Sequence, residues 1–371
     1  MNDLLISTEV ILNCLSDGVY VCDRDRRIVY WSKSAERITG WRSEDVLGRL
    51  CLEDILRHED KDGHRLCGEE HCPLHRAMVT GVTTNLPMIV FAQSKDGRKI
   101  PMQVTAAPIR DGGGEVVGGV ETFRDVSPLL VDYQRAQKIQ TQTLEQELPH
   151  DPRLRFSTFF MPHDIVGGDY YGVRQLDEDR YGFLLADLEG HGLVAALYTM
   201  HLSIIWNRHY QLLREPTEFA AEVNKELVQV FGSVVTFATA ICGVIDAKGG
   251  TLRLTGAGGP PPLIIHADGT EEELKSPGPP LGIMEDVSYD EQSAKLKPGD
   301  SVLLFTDGAI EIHSSKNKLL DVEGLARILR SLGYPQIQLN MGVLEEELLK
   351  FSNDIRLQDD ITIIEVRFFG Q

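Results

Sequence analysis

Short apolar runs separated by polar turns dominate the first third of the chain. The runs predict strands at residues 18–22, 27–31, 86–92, 99–109 and 116–124. Between the second and third runs, apolar residues from Ala35 to Leu47 recur at helical spacing. The polar segments 95–98 and 111–114 are typical of hairpin turns. This region is therefore predicted to contain two strands, a helical segment and three further strands.

Residues 128–150 have a different pattern. Apolar residues recur there at steps of three to five among Gln, Lys and Glu, which predicts an amphipathic helix that ends at Pro149 and Pro152. Two interpretations stay open. The helix is either a surface helix packed on one domain or, given its narrow apolar stripe, a signalling helix that dimerises or docks.

From residue 155 onwards, strands and helices alternate in blocks. Strand patterns cover residues 155–161, 170–176, 180–188, 235–245, 251–254, 262–266, 300–306 and 362–368. Helical spacing of apolar residues covers residues 193–204, 219–230, 322–332 and 344–351. Such blocks predict an α+β fold in which helices cover sheets.

Length and charge narrow the function classes. A chain of 371 residues is expected to form two domains, and its net charge of −19 argues against a nucleic-acid partner, which needs a basic surface. Neither a signal peptide nor an apolar run long enough to span a bilayer is visible, so we expect a cytoplasmic protein without a membrane association. Six cysteines in this length predict reduced thiols rather than a disulfide framework.

Four acidic motifs directly adjoin predicted strands. They are 167–169, 187–192, 306–308 and 359–362, which contribute Asp169, Asp187, Asp307 and Asp359. If these carboxylates converge, their repulsion requires bound cations or protonation, because no motif contains a Lys or Arg. An all-oxygen ligand set favours Mg²⁺ or Mn²⁺, and a pair of such ions is a standard arrangement for hydrolysing phosphate esters.

A second group of metal-ligand residue types lies between residues 51 and 75. Its thiols and imidazoles suit a zinc, iron–sulfur or redox site, or serve as fillers of a variable loop. The candidates for a second metal or redox cluster are Cys51, His58, Cys67, His71 and Cys72.

Residues 8–127 resemble a PAS sensor domain. The resemblance rests on the segments 35–41, 44–48 and 124–127, which read AERITGW, EDVLG and RDVS. Ser32 departs from the asparagine that is usual in the family. The resemblance implies an antiparallel sheet with short helices and a bound ligand of unknown identity, with zinc, an iron–sulfur cluster or haem as candidates.

The four acidic motifs, in their order and spacing, resemble those of the SpoIIE/RsbU-type PPM (PP2C-like) serine/threonine phosphatases. The match spans residues 135–369 and includes the helix that precedes the domain. It implies an αββα sandwich, two Mn²⁺ or Mg²⁺ ions, and hydrolysis of phosphoserine or phosphothreonine on a partner protein. The resulting domain prediction is a PAS domain at 1–127, a helical linker at 128–150 and a phosphatase domain at 151–371.

Site roles follow from the same resemblance. Asp187 would bridge both metals and the Leu188 carbonyl would be a further ligand, whereas Asp169, Asp307 and Asp359 would complete the sites. Asp360 is either a ligand or a residue that supports one. His191 is either a general acid for the leaving oxygen or a histidine that only hydrogen-bonds the turn.

The resemblance also implies partners. Substrates in this family are phosphorylated STAS-type anti-sigma-factor antagonists, and the linker helix relays the state of a sensor, with homodimerisation through the PAS domain and linker expected by analogy. Two departures are Glu189 and the segment Gly256-Ala257-Gly258-Gly259, which lacks the usual asparagine and histidine. The alternative functions are a non-catalytic pseudo-phosphatase that binds a partner and a protein that is primarily a PAS metal or redox sensor.

Overall fold

The chain divides into two compact units, Met1–Asp132 and Tyr133–Gln371. The computed structural model describes residues 11–12, 14–53, 55–60, 63–68, 71–84, 88–190, 192–232, 236–314, 318–352 and 359–370. Both units combine helices with antiparallel sheets, so the predicted α+β class is confirmed. Among the described residues, no helix is both long enough and apolar enough to cross a bilayer.

The first unit is built on a five-stranded antiparallel sheet with the strand order β2-β1-β5-β4-β3. Its strands are β1 (Gly18–Asp23), β2 (Ile28–Trp31), β3 (Met88–Gln93), β4 (Lys99–Arg110) and β5 (Val116–Asp125). Its helices are α1 (Lys33–Thr39), α2 (Ser43–Val46) and α3 (Pro73–Thr80). The described part of the predicted strand 86–92 begins at residue 88.

Ser32 explains how the first unit tolerates its departure from the usual asparagine. The Ser32 hydroxyl oxygen accepts hydrogen bonds from the Ala35 and Val19 backbone amides, at 3.1 and 2.9 Å. It therefore caps α1 and joins this helix to β1, as a short polar side chain at an N-cap does.

The second unit contains two five-stranded sheets, ordered β13-β10-β9-β8-β7 and β12-β11-β14-β15-β6. The strands are β6 (Leu154–Met161), β7 (Asp169–Gln175), β8 (Arg180–Leu188), β9 (Ala238–Asp246), β10 (Thr251–Ala257), β11 (Leu263–Ile265), β12 (Glu271–Glu273), β13 (Gln292–Lys295), β14 (Ser301–Phe305) and β15 (Ile361–Phe368). The α-helices are α4 (Ser127–Leu144), α5 (Leu193–His209), α6 (Pro216–Phe231), α7 (Asp321–Ser331) and α8 (Met341–Ser352). Helix α4 begins in the first unit and ends in the second.

Three apolar layers hold the second unit together. Phe183 and Leu185 of β8 pack between the sheets with side chains such as Ile364 of β15. Trp206 of α5 and Phe219 of α6 pack on the outer face of the first sheet, and the side chains of α7 and α8 pack on the outer face of the second. The alternating strand patterns supply one apolar face to each layer, so the predicted αββα sandwich is confirmed.

Two short strands were not predicted from the sequence. Strands β12 and β13 are polar and lie at the outer edges of their sheets. Edge strands need no continuous apolar face and are commonly charged. The three successive glutamates of β12 therefore gave no strand signal.

Candidate metal centre

Strand register brings the predicted acidic residues to one end of the two sheets. Asp169 begins β7 and pairs directly across the sheet with Asp187 near the end of β8. Asp307 follows β14, and Asp359 and Asp360 precede β15. Because the antiparallel β14 and β15 pair Phe305 with Ile363, the end of one strand lies beside the start of the other.

Asp169 is completely buried at the centre of this group. Its Oδ2 accepts hydrogen bonds from the hydroxyls of Thr306, at 2.9 Å, and Thr362, at 2.5 Å. The Thr362 amide in turn donates to the Thr306 hydroxyl oxygen at 3.0 Å. The carboxylate of one sheet is thus fixed by two threonines of the other, and its Oδ1 has no hydrogen-bond partner among the described residues. The sequence motifs contained both threonines, but their role went unrecognised.

Asp360 organises the backbone around the group. Its Oδ1 accepts from the His163 amide at 2.6 Å and its Oδ2 from the Gly168 amide at 2.5 Å. A Cβ atom at Gly167 would lie 2.8 Å from the Asp360 Oδ2, and one at Gly308 would lie 2.0 Å from the Asp360 carbonyl oxygen. Glycine at both positions therefore lets the neighbouring backbone approach Asp360 closely.

Burial and mutual repulsion dominate the electrostatics of the group. Burial, followed by the charges of Asp307, Asp359 and Asp360, raises the pKa of Asp187 to about 8. Burial and the neighbouring carboxylates of Asp187 and Asp360 likewise raise the pKa of Asp169 well above its usual range. The pKa of Asp307 is raised by its burial and then by Asp359 and Glu311.

The donor chemistry fits divalent cations. Asp169 Oδ1 and Asp307 Oδ1 are buried oxygens without a partner among the described residues. Within the same residues, no Lys or Arg forms an ion pair with any of the five aspartates. Oxygen atoms that are buried, unpaired and surrounded by like charge are the environment in which hard cations bind.

Gln140 of α4 makes contacts that sequence reasoning did not identify. Its side-chain nitrogen donates to the Gly167 carbonyl at 2.7 Å and to the Thr199 hydroxyl at 3.0 Å, and its oxygen accepts from the Gly167 amide at 3.1 Å. Gln140 is buried. It therefore fixes the backbone two residues before Asp169 and links it to α5. Its position one helical turn before the buried Leu144 was the available signal.

The turn after β8 is described except for His191, which lies outside the described residues. The Leu188 amide donates to the Gly168 carbonyl at 3.2 Å, which ties the predicted carbonyl ligand to the neighbouring motif. Glu189 is exposed, and its amide donates to the Phe237 carbonyl at 2.9 Å. Gly190 and Gly192 adopt φ values of 97° and 79°, a region in which glycine is favoured.

Close backbone packing accounts for the departure at Gly256. Its amide donates to the Ser276 hydroxyl oxygen at 2.8 Å. A Cβ atom at Gly256 would lie only 1.9 Å from the Ser276 carbonyl oxygen. The usual asparagine therefore does not fit beneath residues 275–278 in this chain.

The first unit buries part of the second predicted cluster. Cys72 is buried, Cys51 and Cys67 are half-buried and His71 is exposed. The Cys67 sulfur accepts from the His58 amide at 3.2 Å. The ligand atoms of these residues do not form a compact set of three among the described residues.

Glu121 of β5 lies in this region, although no sequence pattern assigned it a role. It is fully buried, and its Oε1 lies 3.7 Å from the Nε2 of the buried His58. Both carboxylate oxygens and this nitrogen have no hydrogen-bond partner within the described part of the chain. Burial raises the pKa of Glu121 to about 8 and lowers that of His58 to about 4.

One further set of candidate ligands lies on α5 and α6. The ligand atoms of His209, Glu222 and Glu226 lie within 4.8 Å of one another. Arg208 already pairs with Glu226 at 2.7 Å, and Lys225 lies 3.7 Å from Glu222. Side chains of the protein therefore neutralise both carboxylates, in contrast to those around Asp187.

Two protein-family models match the chain, one within each of its two units. The model of the Stage II sporulation protein E (SpoIIE) family matches residues 177–369, and the PAS fold model matches residues 7–126. Phosphoserine phosphatase RsbP of Bacillus subtilis (strain 168) is 30% identical over 179 residues, which are 47% of this chain and 44% of that protein. This chain therefore spans less than half the length of RsbP.

Phosphoserine phosphatase RsbU of the same organism is 24% identical over 306 residues, covering 82% of this chain and 88% of RsbU. The solved SiaA-PP2C domain of Pseudomonas aeruginosa superposes with a TM-score of 0.56 at 22% identity, covering 65% of this chain and 97% of that domain. The second unit therefore has the PP2C fold. Because the family model matches more than half of the residues, this chain belongs to the SpoIIE family.

Proposed function

We propose that this protein hydrolyses phosphoserine or phosphothreonine on a partner protein with the help of two Mn²⁺ or Mg²⁺ ions. The observation that carries the proposal is a group of aspartates that no Lys or Arg of the described residues pairs with, in which Asp169 and Asp307 each keep a buried oxygen without a hydrogen-bond partner among those residues. The names of RsbP and RsbU, both phosphoserine phosphatases, support the same reaction class.

The aspartates have distinct proposed roles. Asp187 faces both Asp169 and Asp307 and is the candidate bridge between two ions, with the Leu188 carbonyl beside it. Asp169, Asp307 and Asp359 would complete the ligand set. Asp360, whose two oxygens already accept backbone hydrogen bonds, supports the 163–168 segment. When bound, such ions polarise phosphoryl oxygens and make a bound water more acidic.

The protein residues prepare the centre in three ways. Thr306 and Thr362 hold one oxygen of Asp169 so that the other faces the cluster. Gln140 fixes Gly167, and the apolar layers beneath the sheets hold both strand ends in place. The leaving serine oxygen needs a proton, for which His191 stays the candidate general acid.

Partner and regulation are part of the proposal. A phosphorylated STAS-type anti-sigma-factor antagonist is the proposed substrate, and the PAS unit at residues 1–127 is the proposed sensor that acts through the linker at 128–150. A homodimer formed through these two segments is the proposed assembly.

The test is phosphate release from a phosphoserine-containing STAS protein by the full-length chain. We expect turnover with Mn²⁺ that chelation abolishes and that added Mn²⁺ restores. Absence of turnover with Mn²⁺ and with Mg²⁺, on both this substrate and p-nitrophenyl phosphate, would contradict the proposal and favour a binding role. The same assay of residues 128–371 measures what the PAS unit contributes.

A further inference from the structure

A cavity of about 290 Å³ opens between β10 and the segments 259–262 and 275–277. Ile241 and Leu254 belong to its lining, and the prolines 260–262 and 277 supply much of its wall. Lys275 contributes a charged side chain to an otherwise mainly apolar surface. We call this cavity the proline groove.

The proline groove adjoins a cleft that reaches the candidate metal centre. A narrow cleft between the sheets contains Asp187 and Thr306 in its lining. Ile241, Gly259 and Pro260 line both the cleft and the groove. A single stretch of chain, Gly259–Pro260, thus forms a wall common to the two spaces.

Backbone packing fixes the shape of the groove. Residues 275–278 lie against β10 so closely that Gly256 and Gly278 leave no room for a side chain: a Cβ atom at Gly278 would lie 2.2 Å from the Gly256 carbonyl oxygen. The Ser276 hydroxyl accepts from the Gly256 amide at 2.8 Å. Proline also fixes its own φ angle. A groove formed in advance loses little conformational entropy when it binds a ligand.

We propose that the proline groove binds an apolar side chain of the substrate polypeptide. This side chain is close in sequence to the phosphoserine, which occupies the candidate metal centre. This inference rests on the proposed function. The phosphoryl group is the same in every phosphoserine, so discrimination among substrates requires contacts with neighbouring residues. A protein with a net charge of −19 repels an acidic phosphoprotein, and apolar contacts supply affinity that does not depend on charge.

The test uses peptides that contain one phosphoserine and alanine at the neighbouring positions. Leucine replaces alanine in turn at each of the three positions before and after the phosphoserine. With the wild-type chain and Mn²⁺, leucine at one position should raise kcat/KM about tenfold over the all-alanine peptide, within the range for filling an apolar pocket. Pro261→Trp, which fills the groove, should reduce this ratio to about one. Pro298→Trp, at an exposed proline outside the groove, should preserve it.

Hydrolysis of p-nitrophenyl phosphate shows whether each variant is folded. If Pro261→Trp is inactive towards it, Lys275→Trp at an exposed groove residue replaces it. A leucine preference that survives in the filled groove, or no preference at any position in the wild-type chain, would overturn the inference. Failure of the wild-type chain to hydrolyse any of these substrates would instead reject the proposed function.

Discussion

Among the described residues, both units of the chain bury carboxylate oxygens that have no hydrogen-bond partner, but the ionisable groups around these oxygens differ in chemistry. At the ends of β7, β8 and β14, all the groups are carboxylates. In the core of the first unit, the Glu121 carboxyl faces the His58 imidazole at 3.7 Å. An acid with a raised pKa beside a base with a lowered pKa is neutral near pH 7, since each loses its charge on burial.

The difference separates two uses of a buried acid. The His58–Glu121 pair achieves neutrality by itself and needs no ion. Burial and then the repulsion of neighbouring carboxylates raise the pKa values of Asp169, Asp187 and Asp307, and no Lys or Arg among the described residues pairs with them. A buried cluster that contains only carboxylates therefore indicates that an external cation binds there. A buried carboxyl beside an imidazole gives no such indication.

The strongest test of this contrast is Asp187→Asn. We expect phosphatase activity with Mn²⁺ to fall by more than about 100-fold, because loss of even a supporting residue of a metal site costs about 10- to 100-fold. Asp286→Asn, at an exposed aspartate, is the matched control and should retain activity. Full activity in the Asp187 variant would remove the basis for a metal role.

Gln140→Leu tests whether α4 supports the candidate metal centre. The variant leaves the amide and carbonyl of Gly167 without their partner, so we expect about tenfold lower activity and a higher Mn²⁺ concentration for half-maximal rate. Gln137→Leu, on an exposed position of the same helix, should behave like the wild-type chain. Equal effects of the two substitutions would show that Gln140 has no special link to the site.

Removal of metal should make stability depend on pH. The pKa of Asp187 is raised to about 8 in the folded protein, so the folded state binds more protons than the unfolded state. In the metal-free protein, the contribution of Asp187 to the free energy of unfolding should therefore be greatest below about pH 4. It should decline as the pH rises to about 8. The rise in melting temperature caused by Mn²⁺ should be larger at about pH 8 than at about pH 5. A rise that is the same at both pH values would contradict this expectation.

Glu121→Gln should have the smallest effect near neutral pH. A neutral amide replaces a neutral acid, so we expect a change in unfolding free energy of less than about 1 kcal/mol at about pH 6. Because the pKa of Glu121 is raised to about 8, the wild-type first unit loses stability as the pH rises from about 4.5 to about 8, and the variant avoids this loss. Glu115→Gln, at an exposed glutamate before β5, is the control for thermal unfolding. Identical pH profiles of the Glu121 variant and the wild-type chain would show that Glu121 ionises freely.

His58 contributes the opposite trend. Its pKa is lowered to about 4, so its stabilising contribution is present above its usual pKa and is lost as the pH falls towards that value. The comparison of Glu121→Gln with the wild-type chain therefore reports on Glu121 alone at alkaline pH, because His58 is neutral there in both the folded and the unfolded chain.

The sequence predicted those features that depend on patterns repeated along the chain. Strand and helix periods predicted the α+β fold, and the resemblance added the αββα sandwich. The position of Asp169, Asp187, Asp307 and Asp359 next to strand-like runs suggested that they meet, and the structure brings them to one end of the sheets. Whether they bind metal stays a prediction, as does the general-acid role of His191.

Contacts made by ordinary residues were not predictable in this way. Gln140 is one of several glutamines on α4, and its spacing to Leu144 places it on the buried side of the helix but does not identify its partners Gly167 and Thr199. Thr306 and Thr362 are typical strand residues whose hydroxyl bonds to Asp169 require the register between two sheets. Glu121 shares a strand face with Phe123, which was a signal that this acid points towards the core.

The contact between Gly256 and Ser276 constrains the order in which this sequence can change. An asparagine introduced at position 256 would collide with the Ser276 carbonyl oxygen, 1.9 Å from its Cβ atom, unless residues 275–278 had already moved away. The two segments are therefore epistatic: a substitution that is ordinary elsewhere in the family is harmful in this background. Lineages that exchange the glycine for asparagine are expected to carry an earlier change in the 275–278 segment.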